Sequence, residues 1–124
     1  MPDITDVIDI VDRYCAVWHE SDPDLRRKSV AELWAVDAVH TIEEAVFRGR
    51  PAIEKRIADA HQQFVATAGF IFRSVGSILY HHNAVKLGWE MVPVAGDDPV
   101  ATGSAFLLLD DDGLIQADYQ FTNM

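Results

Sequence analysis

Side chains able to do chemistry are few in this sequence, and most of them stand in turns. His81 and His82 are adjacent and followed by Asn83. Neighbouring residues of a turn point in different directions, and no third ligand stands at a recognisable spacing, so the segment reads as a solvated hairpin turn and no metal is expected. Asn83 suits a left-handed conformation there. The run Asp110-Asp111-Asp112-Gly113 lacks the remaining ligands of a calcium loop and reads as a charged turn that discourages edge pairing. Asp97-Asp98-Pro99 is ordinary turn chemistry. Cys15 is the only cysteine and lies in an apolar helical pattern, which marks it as a small buried filler and argues against redox chemistry. Two titratable side chains fall inside patterned apolar stretches instead: Tyr14 and His40. A core tyrosine finds a partner for its hydroxyl, and a core histidine is hydrogen-bonded. An imidazole, titrating near neutral pH, is also suited to moving a proton.

The elements that would position these groups follow from apolar spacing. From Ile4 to His19, the residues Ile4, Val7, Ile8, Ile10, Val11, Tyr14, Cys15 and Trp18 recur at three- and four-residue steps, predicting an amphipathic helix. Ser21-Asp22-Pro23 makes a break with capping chemistry, and Leu25, Val30, Leu33 and Trp34 sketch a second helix. Ala38 to Ile42 is short and β-branched, and with Ala45-Val46-Phe47 it predicts a pair of short strands. Pro51 suits the first turn of a third helix, which runs to about Ala66 and ends before Gly69. Phe70 to Tyr80, Val85 to Val94, Val100 to Leu109 and Leu114 to Phe121 predict a four-strand antiparallel meander. Alternation puts Val85, Leu87, Trp89 and Met91 on one face and Lys86 and Glu90 on the other, with Arg73 opposite Glu90. In the last strand the same rule makes Ile115, Ala117, Tyr119 and Phe121 the apolar face and turns Asp118 away from it, unless a bulge reverses the register.

The totals bound the class. One domain of 124 residues, 49% hydrophobic and 24% charged, has material for one sizeable core without staples. The net charge of -10, with basic residues scattered among acids, disfavours nucleic acid. Apolar runs such as Ala105 to Leu109 are far shorter than the roughly 20 residues of a membrane span. The MPDITD start is unlike a signal peptide, so a cytoplasmic location is expected.

This order of elements, with FRGRPAIEKRI after a short strand and the later GWE, TGSAF and DDDGLI, resembles the SnoaL-like branch of the nuclear transport factor 2-like superfamily over nearly the whole chain. The resemblance implies an α+β cone: three N-terminal helices on a strongly curved, mainly antiparallel sheet that encloses a pocket. Known members include ketosteroid isomerases, polyketide cyclases, epoxide hydrolases, dehydratases and non-catalytic binding domains, so the fold alone does not choose a function. Placed on the isomerase pattern, His40 falls where those enzymes carry their catalytic aspartate, and Tyr14 near the tyrosine that donates to the oxyanion. The isomerases' second oxyanion donor falls at Ala105, a departure that counts against steroid isomerase activity specifically. The working acid of the cyclases and hydrolases is matched by Asp118, ranked below His40 because of its expected direction. The arginine bridging two acids that the epoxide hydrolases need has no located counterpart, which leaves hydrolase activity a minor alternative.

Two functions are therefore carried forward. One is a cofactor-independent isomerase or cyclase of a small apolar carbonyl compound, with His40 as base, Tyr14 as donor, Asp118 as a further catalytic candidate, and Trp18, Trp34, Trp89, Tyr119 and Phe121 lining the substrate site. That chemistry needs neither metal nor organic cofactor. The other is a non-catalytic module that binds an apolar or amphipathic molecule or dimerises. In either case Ala84, Lys86, Gly88, Glu90, Ser104, Phe106 and Leu108 give a mixed outer sheet face, from which a two-fold homodimer is expected.

Overall fold

The computed structural model describes residues 3–96 and 98–123. Asp97 of the Asp97-Asp98-Pro99 turn lies outside the described residues.

Helix α1 (Ile4–Ala16) starts at a reciprocal capping box: Asp3 accepts from the Asp6 N–H, and the Asp6 side chain accepts from the Asp3 N–H. It buries Val7, Ile10, Val11, Tyr14 and Cys15 and tightens into a 3-10 turn at Val17–His19. Asp22 caps α2 (Pro23–Leu33), whose first turn holds proline at a position without a helical N–H partner. Helix α3 (Arg50–Ala60) continues into a wider π-type turn, His61–Thr67, so helical structure ends close to the expected Ala66. Gly49 makes the entry to α3 possible: it stands at φ 83°, where a side chain would be strained, and its N–H donates to the Ala38 carbonyl at 2.7 Å.

Six strands follow the order β2-β1-β6-β5-β4-β3 in a single sheet. They are β1 (Trp34–Ile42), β2 (Ala45–Arg48), β3 (Phe70–His81), β4 (Ala84–Pro93), β5 (Ala101–Leu109) and β6 (Ile115–Thr122). The expected meander is β3 to β6, antiparallel throughout; β1 joins it parallel to β6. The architecture is thus the α+β cone, three helices on a curved, mainly antiparallel sheet. The β1 strand is longer than the sequence suggests. Trp34 begins it and does not end α2, because Arg50 donates to the Trp34 carbonyl at 2.9 Å and to the Ala31 carbonyl at 3.1 Å, fixing the helix-to-strand junction.

Between the helices and the sheet's inner face lies the core, with Tyr14, Trp34, Ile53, Ile57, Leu87, Leu107 and Ile115 fully buried. Gly103 permits the close seat of Trp89: a Cβ there would come within 2.5 Å of the indole and within 1.9 Å of the Phe121 carbonyl oxygen. On the outer face Arg73 pairs with Glu90 as expected, Nε to Oε1 at 2.8 Å. The β3–β4 turn holds a correction: His82, at φ 54°, takes the left-handed conformation expected of Asn83, because Asn83 is turned to donate to the Leu109 carbonyl. Cys15 is buried as expected, and burial pushes its thiol up to about 11, so it stays protonated and unreactive at neutral pH.

Candidate functional site

Strand β6 decides the site by one extra residue. Leu109 pairs with Ile115 and Leu108 with Ala117, which leaves Gln116 unpaired as a bulge. An extra residue exchanges the faces of everything beyond it. Ile115 keeps its inward direction, but Asp118 is also fully buried, while Tyr119 and Phe121 are 38% and 53% exposed. The alternation that turned Asp118 outward and made Tyr119 and Phe121 pocket walls is corrected by this bulge. Tyr119 and Phe121 flank a shallow hollow on the outer face with Lys86, Ser104 and Phe106.

Asp118 gathers three elements around its carboxylate. Tyr14 of α1 donates its hydroxyl to Oδ2 at 2.9 Å, Trp34 of β1 donates Nε1–H to Oδ1 at 2.9 Å, and His40 Nδ1 lies 2.6 Å from Oδ2. Asp118 and His40 are cross-strand partners in the parallel β1–β6 ladder, which brings them together directly. A carboxylate only accepts, so the hydrogen of this contact belongs to Nδ1, and the neutral ring carries its lone pair on Nε2. Nε2 is buried and has no partner. Gln120, also turned inward by the bulge, donates to the Tyr14 hydroxyl oxygen at 2.9 Å. The Tyr14 pKa is raised well above the ordinary tyrosine value, first by burial and then by the Asp118 charge. It therefore remains a donor, and its proton is committed to Asp118. That differs from the oxyanion role implied by the resemblance.

Next to this network a cavity of about 600 Å³ opens between α3, the π-type turn and the inner sheet face. Trp18, Phe64, Phe70, Phe72, Trp89 and Met91 form its apolar wall, and Arg56, Gln63, Gln120 and Thr122 contribute polar groups, with Glu43 and Glu44 at its exposed edge. Of the expected walls, Trp18 and Trp89 are in place. Trp34 is a correction: as the first residue of β1 it is buried behind the cavity, where it serves Asp118. His40 is likewise buried and not on the wall. Its ring centroid lies 5.8 Å from that of Trp18, which is on the wall, and 5.8 Å from that of Phe47. Ala105 is buried in β5 and pairs with Gln120, so an amide on the neighbouring strand occupies that part of the inner face.

Arg56 and Gln120 were not singled out by sequence reasoning. Arg56 sits between Ile53 and Ile57 on the α3 stripe, and that spacing is the signal the sequence offers for it. Among the described residues no group of three or more metal-binding side chains forms.

His19 supports the cavity wall and carries a pH dependence. Its Nε2 accepts the Phe72 N–H at 2.9 Å, a bond that requires the unprotonated ring. Burial, and secondarily His61, holds the His19 pKa below its ordinary 6.5. A folded-state pKa below the unfolded one means the contribution to stability is complete above about 6.5 and is lost as pH falls from there through the folded value. The thermal midpoint is expected to fall between pH 7.5 and pH 5. In His19→Gln, which accepts without titrating, part of that fall should vanish; identical pH profiles would contradict the assignment.

With helices on one side of a curved six-stranded sheet and an apolar cavity open at one edge between them, the molecule is a cone of the cystatin-like, nuclear transport factor 2-like class. No family model and no curated protein matches the sequence. Solved structures do. A protein from Agrobacterium tumefaciens assigned as an isomerase of the SnoaL-like family is 28% identical, with TM-score 0.87 over 98% of this chain and 100% of the other. An assigned polyketide cyclase from Sinorhizobium meliloti is 21% identical, with TM-score 0.68 over 90% and 93%. A nuclear transport factor 2-like protein of cystatin-like fold from Novosphingobium aromaticivorans is 16% identical, with TM-score 0.71 over 96% and 80%. The 28% identity over nearly the whole of both chains agrees with the resemblance to the SnoaL-like branch that the sequence carries.

Proposed function

We propose that the protein takes a small, largely apolar or amphipathic carbonyl compound into its cavity and acts on it as a cofactor-independent isomerase or cyclase, with His40 as the proton-transfer group. The observation that carries this reading is the pairing of His40 Nδ1 with buried Asp118 at 2.6 Å while Nε2 is left with no partner. An Asp-held imidazole of fixed tautomer is a general base in waiting. In the step, Nε2 takes a proton from a carbon next to the carbonyl, the C–H electron pair forms the enolate double bond, and the oxygen receives the negative charge. The imidazolium so formed is stabilised by Asp118, and return of the proton to a different carbon completes an isomerisation. Tyr14, Trp34 and Asp118 serve as positioning residues. Trp18, whose Nε1–H has no partner and whose ring centroid lies 5.8 Å from that of His40, is a donor available to the enolate oxygen. Proton transfer needs Nε2 within about 2.6–3.2 Å of the reacting group, which requires the Trp18 side of the wall to yield. The test is enolate formation by the wild type against His40→Gln.

A second reading is favoured by one observation, the complete burial of His40 behind the wall. In it the protein binds the same class of ligand without turnover, and the His40–Asp118 pair is structural. Catalysis in the wild type separates the two.

We further propose a homodimer through the outer sheet face. Tyr119 and Phe121, turned outward by the bulge, join Phe106 there, with exposed Val75 and Leu79 of β3 across Gly88 and Lys86 of β4, and the apolar part of this mixed face is poorly suited to water. A second copy, related by two-fold symmetry, supplies a matching surface. Sedimentation should show a dimer for the wild type and a monomer for Phe121→Glu. A monomeric wild type would reject the interface.

A further inference from the structure

We infer that Arg56 makes the cavity a site for organic anions, so that the ligand combines an apolar body with a single carboxylate or equivalent oxyanion. This deepens the pocket reading above and rests on it; it does not depend on whether His40 is catalytic. The first ground is position. Arg56 stands on the cavity wall, with its guanidinium carbon 5.4 Å from the Trp18 ring centroid and 5.9 Å from that of Phe47. Packing against two aromatic rings holds the planar group in place and leaves its N–H edge for bidentate recognition.

The second ground is its missing partner. Arg13, Arg27, Lys55 and Arg73 each meet a carboxylate, and Arg26 and Arg50 donate to backbone carbonyls. Lys28, Arg48 and Lys86 are exposed to water. Among the described residues, Arg56 alone is a partly buried cation with neither an ion pair nor a hydrogen bond, and its Nε is buried without a partner. A charge withdrawn from water and left unpaired is costly, and a ligand oxyanion in the cavity would offset that cost with charge-assisted hydrogen bonds. Burial already lowers the Arg56 pKa, although a guanidinium remains charged.

Glu43 and Glu44 limit the inference to one negative charge. Both are exposed at the cavity's edge, and Glu43 is engaged by the Thr122 N–H, so neither neutralises Arg56 by contact. Their field disfavours a ligand carrying a second anionic group at the mouth, while the deep apolar wall of Phe72 and Trp89 receives the ring system.

Titration of the full-length chain with 2-naphthoate and with its neutral isostere 2-naphthamide, followed by tryptophan fluorescence and calorimetry, tests this directly. The wild type should prefer the carboxylate by at least about tenfold, the scale of one charge-assisted contact, and the preference should shrink with added salt. Arg56→Met should abolish the preference while keeping naphthamide binding, and Arg56→Lys should keep part of it. Equal affinities in the wild type, or a preference that survives in Arg56→Met, would overturn the inference and leave the pocket reading standing. If neither compound binds, both readings fall. The wild-type comparison decides even if the methionine variant does not fold.

Discussion

Asp118→Ala is expected to lower folding stability by at least about 3 kcal/mol, because it removes the acceptor shared by three buried donors. The substitution strands three buried donors at once: the Tyr14 hydroxyl, the Trp34 indole N–H and His40 Nδ1. Each unsatisfied buried group costs about 1–3 kcal/mol, so the total exceeds what the lost side-chain volume alone would produce. Asp118→Asn preserves the volume and one acceptor oxygen but presents an NH₂ to a donor, and should cost about 1–3 kcal/mol. Urea unfolding with a common slope would measure both. An alanine variant within about 1 kcal/mol of the wild type would mean that the four side chains do not form this network in solution, since a surface substitution costs no more than that.

Why the sequence disclosed the frame and hid this centre is a question of periodicity. Helix α1 declares itself because every apolar residue that it buries, from Val7 to Cys15, repeats at helical spacing. The Arg73–Glu90 contact depends on a break in register: the pairs His81–Ala84 and Leu79–Lys86 carried on without the shift between Val75 and Leu79 would set Arg73 opposite Val92, a residue of the same strand face parity as Glu90. The centre depends on breaks in periodicity. One residue, Gln116, turns Asp118 and Gln120 inward and Tyr119 and Phe121 outward, and nothing in the string Ile115-Gln116-Ala117-Asp118 marks which residue will be extra. Trp34 is hidden for a related reason: its strand start is dictated by Arg50, sixteen positions away, clamping the chain at that point. The resemblance did lead to His40, Tyr14 and Asp118 separately. Their union around one carboxylate is a property of the β1–β6 pairing.

This arrangement also separates two jobs that the sequence reading had merged. The polar network of Asp118, Tyr14, Trp34 and His40 sits fully buried behind the wall, with His40 Nε2 its one unpartnered side-chain nitrogen. The cavity in front is apolar with one unpaired cation. On the proposals above, recognition would rest on Arg56, Phe72 and Trp89, and reactivity on a single nitrogen that the wall covers. Such a layout keeps water from the base, which strengthens its interaction with a developing charge.

The decisive experiment on reactivity is hydrogen exchange at an enolisable carbon, since it needs no knowledge of the natural substrate. For 2-tetralone in D₂O, proton NMR should show wild-type protein accelerating loss of the hydrogens next to the carbonyl. His40→Gln should slow the protein-dependent exchange by about 10²–10⁴-fold, the usual contribution of a positioned general base. Glutamine keeps an N–H for Asp118, so the variant is expected to remain folded, and its urea unfolding curve provides the check. Asp118→Asn should lose part of the rate by disturbing the tautomer and the imidazolium, provided the comparison is made per folded molecule. A Trp18→Phe variant separates access from chemistry: it keeps an aromatic wall but lacks the unpartnered N–H, so its exchange should be slowed while binding of 2-naphthamide is retained. If the wild type exchanges no faster than buffer, or if His40→Gln matches it, then Nε2 is sealed in solution as well, the imidazole is a strut between β1 and β6, and the cavity is a binding site only.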